Sequence, residues 1–155
     1  MFRIGKEEIK AIENVLLSGK VFRYGIGGEC NRFEERYSEY LDVKHCLMTS
    51  SGTTALTAAM IGQGLGPGDE VLVPACTYIA TAIAVLAAGA IPVIVDIDES
   101  ITISPAAIEA AIGPKTRGVV PVHMWGMPCD MDAIMAIAEK HGLIVVEDAC
   151  QCVGG

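Results

Sequence analysis

Apolar positions change their period near residue 45. Before it they fall at helical spacing. Ile9, Ile12, Val15 and Leu16 form one stripe across residues 6–17, closed by Ser18-Gly19. Phe33, Tyr37, Tyr40 and Leu41 form a second stripe, after the Gly25-Ile26-Gly27-Gly28 turn. Beyond residue 45, short apolar runs alternate with helix-length segments. The runs predict strands over 46–49, 70–74, 92–96, 118–123 and 143–148, with helices over 53–63, 77–88, 104–112 and 130–141. Ser104-Pro105 and Asp130 read as helix starts, and Gly66-Pro67-Gly68-Asp69 and Gly89 as helix-to-strand turns. Alternation of this kind predicts an α/β fold: a doubly wound, mainly parallel sheet with helices on both faces. The expected organisation is a helical N-terminal arm over 1–44, packed against a separate core over 45–155.

Charge separates the same two regions. Residues 1–45 hold eight cations and eight acids, whereas the rest hold only Lys115, Arg117 and Lys140 against eleven acids, which accounts for the net charge of −8. A surface so poor in lysine and arginine excludes nucleic acid as a partner, because phosphate neutralisation needs clustered cations. Any phosphate bound beyond residue 45 must rely on backbone N–H groups and hydroxyls. Hydrophobic residues at 52% and charged residues at 19% exclude a disordered chain. Residues 71–95 carry no charge and are long enough to span a bilayer, but Pro74, Gly89 and Pro92 divide them into strand, helix and strand, so no membrane association is expected. The six cysteines lack paired metal-site spacing and no signal peptide is present, which predicts a cytoplasmic protein without a metal centre.

In an open parallel sheet, ligands bind beyond the carboxyl ends of the strands. The segments expected there are Ser50-Ser51-Gly52-Thr53-Thr54, Ala75-Cys76-Thr77-Tyr78, Asp96-Ile97-Asp98, His123-Met124-Trp125-Gly126 and Glu147-Asp148-Ala149-Cys150-Gln151. Ser51-Gly52-Thr53-Thr54 opens a helix, and is either a lysine-free phosphate cradle or an ordinary helix cap. Glu147-Asp148 ends an apolar strand, where a carboxylate needs a cation or donors; a cofactor's positive charge and the N–H groups of a following helix are both candidates. Tyr78 is a ring-stacking or a core aromatic. His123 reads as a satisfied core histidine, and Trp125 with Met124, Met127, Met131 and Met135 as packing for a loop and a helix face. Asp69, Asp98 and Glu99 read as solvated turn acids.

Together these segments resemble the sugar aminotransferase family named after DegT and StrS, of the aspartate-aminotransferase fold (fold type I). The resemblance is carried in order by Phe33-Glu34 with Tyr37 and Tyr40, Ser51-Gly52-Thr53-Thr54-Ala55-Leu56, Gly66-Pro67-Gly68-Asp69-Glu70-Val71, Val73 to Thr81, Pro121 to Gly126, Asp130-Met131-Asp132 and Glu147 to Gln151. It implies pyridoxal 5'-phosphate as cofactor. By the family's pattern, Gly52 and Thr53 contact the phosphate and Tyr78 stacks on the pyridine. Asp148 pairs with the protonated ring nitrogen, and Gln151 lies near the ring hydroxyl. Thr54, where alanine is common, and Cys150 and Cys152 depart from that pattern.

The resemblance further implies an enzyme that moves an amine from an amino donor to a keto-sugar, nucleotide-linked, or to a related cyclitol ketone, working as a homodimer. The family's Schiff-base lysine has no counterpart here, since Lys115 and Lys140 fall in turn or helix contexts away from the strand ends. The chain is therefore expected to be the N-terminal part of a longer aminotransferase, inactive alone, with no catalytic residue of its own. The alternatives are a sugar dehydratase of the same family, with histidine at the lysine position, and a non-catalytic aminotransferase-like module.

Overall fold

The computed structural model describes residues 4–23 and 27–154. The chain divides into two compact units, Met1–Met48 and Thr49–Gly155.

The first unit carries α1 (Lys6–Ser18) and α2 (Glu29–Tyr40). Gly19 ends α1 as expected, donating its N–H to the Leu16 carbonyl. The Gly25-Ile26 part of the expected turn lies outside the described residues. Ile9, Ile12 and Leu16 stand exposed. The buried group of α2 is Glu34, which accepts hydrogen bonds from Arg23 Nη2 at 2.8 Å and from the Met48 N–H at 2.7 Å. The Met48 N–H, and then Arg23, hold its carboxyl below the usual glutamate range. Residues 46–49 are not a strand, which corrects the sequence expectation. A strand needs a ladder partner; here the Met48 N–H is given to a side-chain carboxylate instead.

The second unit is a four-stranded parallel sheet of β1 (Glu70–Pro74), β2 (Ile91–Val95), β3 (Thr116–Val119) and β4 (Ile144–Val145), in the order β2-β1-β3-β4. The helices are α3 (Gly52–Gly62), α4 (Ala80–Ala87), α5 (Pro105–Ala111) and α6 (Met131–His141), and a 3-10 turn spans Met124–Gly126. Caps sit where the sequence placed them: Ser104 accepts from the Ala107 N–H and Asp130 from the Ala133 N–H. The uncharged stretch resolves into β1, α4 and β2, and among the described residues no helix is long and apolar enough to cross a membrane.

Strand side chains alternate between faces, and β1 shows what this does. Val71 and Val73 pack with Leu56 and Met60 of α3 and Ala84 and Val85 of α4. Leu72 points the other way, into a cluster with Val119, Ile108 of α5 and Ile134 of α6. Helices thus cover both faces. Gly118 lets β3 approach its neighbours: a Cβ there would meet the Ile144 carbonyl at 3.2 Å and Leu65 Cδ1 at 3.1 Å. The last expected strand is shorter than its apolar run, because the ladder breaks after Val145 and resumes as a single bridge between Val122 and Asp148.

Leu72 is fully buried in the central strand. Leu72→Ala is expected to lower unfolding stability by roughly 2–5 kcal/mol through lost burial and a residual cavity, read from the denaturant midpoint.

Candidate functional site

From β1 the chain steps to β2 on one side, then crosses to β3 and β4 on the other. The strand order reverses between β1 and β3, which opens a crevice at their carboxyl ends. A cavity of about 190 Å³ lies there, lined by Gly52, Thr53, Leu56, Thr77, Tyr78, Ala80, Val122, Asp148, Cys150 and Gln151. All five residues singled out in the sequence line it: Gly52, Thr53, Tyr78, Asp148 and Gln151.

Asp148 is 7% exposed. Its backbone is fixed by the bridge to Val122, with its N–H given to the Pro121 carbonyl at 2.9 Å and its own carbonyl accepting from the His123 N–H at 3.1 Å. The carboxylate accepts from the Thr81 hydroxyl at 2.9 Å and from the Cys150 N–H at 3.3 Å. Of the two partners left open by the sequence, a backbone N–H is therefore present, from a turn rather than from a following helix, and the hydroxyl of Thr81 on α4 joins it. No lysine or arginine lies among the residues lining the cavity.

Across the cavity, the start of α3 supplies N–H groups without partners inside the helix and the positive end of its dipole. Ser51 caps the helix by accepting from the Thr54 N–H at 3.1 Å, and the hydroxyls of Ser51 and Thr54 lie 2.9 Å apart. Glycine at 52 leaves room for Cys150, since a Cβ there would meet its Sγ at 3.2 Å and push the sulfur aside by a few tenths of an ångström. Tyr78 is 72% exposed, so it is not a core aromatic.

Gln151 Oε1 accepts the backbone N–H of Trp125 at 3.0 Å, which commits the amide oxygen and leaves its NH₂ as the free donor. The Trp125 side chain is itself 72% exposed, and its backbone is left-handed, with φ of 52°. Packing by Trp125 is thus corrected: the strained turn is held by Gln151 rather than by burial of the indole. Met127 and Met135 are also exposed, while Met124 and Met131 are partly covered. His123 is a satisfied buried histidine, as expected. Its Nδ1 accepts from the Cys129 N–H at 3.0 Å, so the proton belongs on Nε2, which donates to Glu147 at 2.9 Å.

Lys115 lies at the opposite end of the sheet, its carbonyl accepting from the N–H of Glu70, the first residue of β1. Lys140 is on α6, paired with Glu109. Thr81 and Leu56 were not singled out. The signal for Thr81 was a hydroxyl in an otherwise apolar helix, four residues after Thr77.

Residues 3–155 match the DegT/DnrJ/EryC1/StrS aminotransferase family. The chain belongs to this family. It is 44% identical over 97% of its length to the spore coat polysaccharide biosynthesis protein SpsC of Bacillus subtilis. It is 48% identical over 93% of its length to a dTDP-3-amino-3,4,6-trideoxy-alpha-D-glucose transaminase of Streptomyces venezuelae. In each case it spans 38% of the relative's length. The structure of NtdA from Bacillus subtilis with bound cofactor PMP superposes on 97% of the chain, at a TM-score of 0.88 and 41% identity, and the chain covers 35% of that protein.

Cys150 reports on the charge of this family member's cavity. Hydrogen bonding to Asp148, then burial, then the negative charge of Asp148 push its thiol up to about 11. The thiolate therefore forms only as the pH approaches that value. At pH 8 alkylation of Cys150, read by peptide mass mapping, is expected to be roughly a hundredfold slower than that of a free cysteine. Asp148→Asn should recover much of that rate.

Proposed function

We propose that this chain is the cofactor-binding part of a pyridoxal-phosphate-dependent aminotransferase that delivers an amine to a nucleotide-linked keto-sugar or a related cyclitol ketone. The observation that carries the reading is one cavity lined by a helix N-terminus, an exposed tyrosine and a buried carboxylate. This donor set fits a flat, phosphorylated cofactor with a cationic ring. Gly52 and Thr53 would hold the phosphate, with N–H groups, a hydroxyl and the dipole of α3 replacing the missing lysine. Tyr78 would stack on the ring. Asp148 would hold the proton on the ring nitrogen, and the Gln151 NH₂ would donate to the ring hydroxyl.

When bound, the cofactor supplies an electron sink for a substrate carbanion. The chain's own part is to bind, orient and keep the ring nitrogen protonated. In this reading the amine nucleophile comes from outside the 155 residues, because Lys115 and Lys140 stand away from the cavity. The working form is a cytoplasmic homodimer that takes a keto-sugar and an amino donor.

Incubation with pyridoxal phosphate, borohydride reduction and intact-mass measurement test this. A protein of the relatives' full length carrying this chain is expected to gain one reduced cofactor per polypeptide, whereas the 155-residue chain gains none. In the longer protein Asp148→Ala should weaken cofactor binding at least about tenfold, since it removes a charge-assisted contact. Binding unchanged by that substitution would sink the assignment of Asp148.

A further inference from the structure

A hydroxyl relay runs from the cavity wall to Asp148. Thr81, in the first turn of α4, is fully buried among apolar side chains. Its hydroxyl bonds Asp148 Oδ2 at 2.9 Å across 67 residues of sequence, and Thr77 Oγ1 at 2.8 Å. A hydroxyl has one proton to give, and a carboxylate can only accept. The Thr81 proton is therefore spent on Asp148, and Thr77 donates to Thr81 at 2.8 Å in preference to the Tyr78 carbonyl at 3.4 Å. The direction of the whole relay follows from its acidic end.

The main chain of Asp148 itself does not do this job. The bridge to Val122 and the bonds to Pro121 and His123 fix where the Asp148 main chain lies. They leave the plane of the carboxylate open, because the terminal torsion of an aspartate has only broad preferences. Thr81 engages one oxygen and the longer Cys150 N–H bond the other, so the two donors together set that plane. Thr77 immediately precedes Tyr78, so the relay also joins the carboxylate to the segment that carries the exposed ring. An ordinary buried threonine on a helix returns its proton to a carbonyl of the preceding turn; Thr81 gives it to Asp148.

We propose that Thr81, backed by Thr77, is a positioning residue that orients the Asp148 carboxylate toward the ring nitrogen of the cofactor, an inference that rests on the cofactor reading above. Thr81→Val keeps the shape and removes the proton donor. Thr81→Ser keeps the donor. Thr77→Val removes the outer link, together with the weak 3.4 Å contact to the Tyr78 carbonyl, at a partly exposed position.

The test uses the full-length protein carrying this chain, with pyridoxal phosphate itself as the probe. The readouts are the dissociation constant from equilibrium dialysis, the pH dependence of the bound cofactor's visible absorption, and the thermal midpoint. Thr81→Val is expected to raise the dissociation constant about tenfold, the loss of one hydrogen bond to a charged group, and to displace the pH profile. Thr81→Ser should stay within about threefold of wild type in binding and keep its profile. Thr77→Val should fall between them with an unchanged thermal midpoint, which keeps the test decisive if Thr81→Val does not fold. Wild-type binding with Thr77→Val, or a folded Thr81→Val, unaltered in both affinity and pH profile overturns the relay alone. No binding by the wild-type protein overturns the cofactor reading, and the role of the relay with it.

Discussion

A carboxylate held at 7% exposure and partnered by Thr81 and Cys150, Asp148 is the group around which the second unit is arranged. Burying such a charge is costly unless it is partnered. Each of its contacts is drawn from a different piece of the chain: the loop after β3 through the bridge to Val122, α4 through Thr81, and the turn after it through Cys150. The cavity exists because those pieces meet there. Its wall on the far side is the start of α3, kept close by a glycine that leaves room for the Cys150 sulfur.

The sheet makes that meeting possible. Parallel strands put all their carboxyl ends on one edge, and the reversal between β1 and β3 keeps the flanking helices from closing over it. The two hydrophobic clusters, one under α3 and α4 and the other under α5 and α6, hold the edge rigid from both faces. With few cations in this unit, the donors that face the cavity from α3 are backbone N–H groups and hydroxyls at the helix start. The donors there are fixed in place, so they need no flexible charged side chain to be ordered.

Much of this was legible in the sequence. β1 runs over the residues its apolar run marked, α6 starts after Asp130, and α5 starts at Pro105 behind Ser104. These features are local: a period of apolar residues, a cap, a proline at the first helical position. Tyr78, Asp148 and Gln151 could be named because their segments follow strands, and Gly52 and Thr53 because theirs opens a helix; all five match a family pattern. Residues 46–49 look like a strand locally, but pairing is a property of two segments, and the Met48 N–H found the Glu34 carboxylate. Trp125 looked like packing, yet its main chain is tied by a glutamine 26 positions away and its indole is left exposed.

The sequence by itself determined the alternation of strands and helices and both helix-covered faces, because hydrophobic period and capping act within a few neighbouring positions, and its family pattern marked five residues that line the cavity. Tertiary structure alone decided which strand neighbours which, where the order reverses, and that Thr77, Thr81 and Asp148 form one line of hydrogen bonds. Those depend on distances between residues far apart in the chain, such as the 67 positions separating Thr81 from Asp148, which are set only once the sheet has closed its ladder and the helices have packed against it.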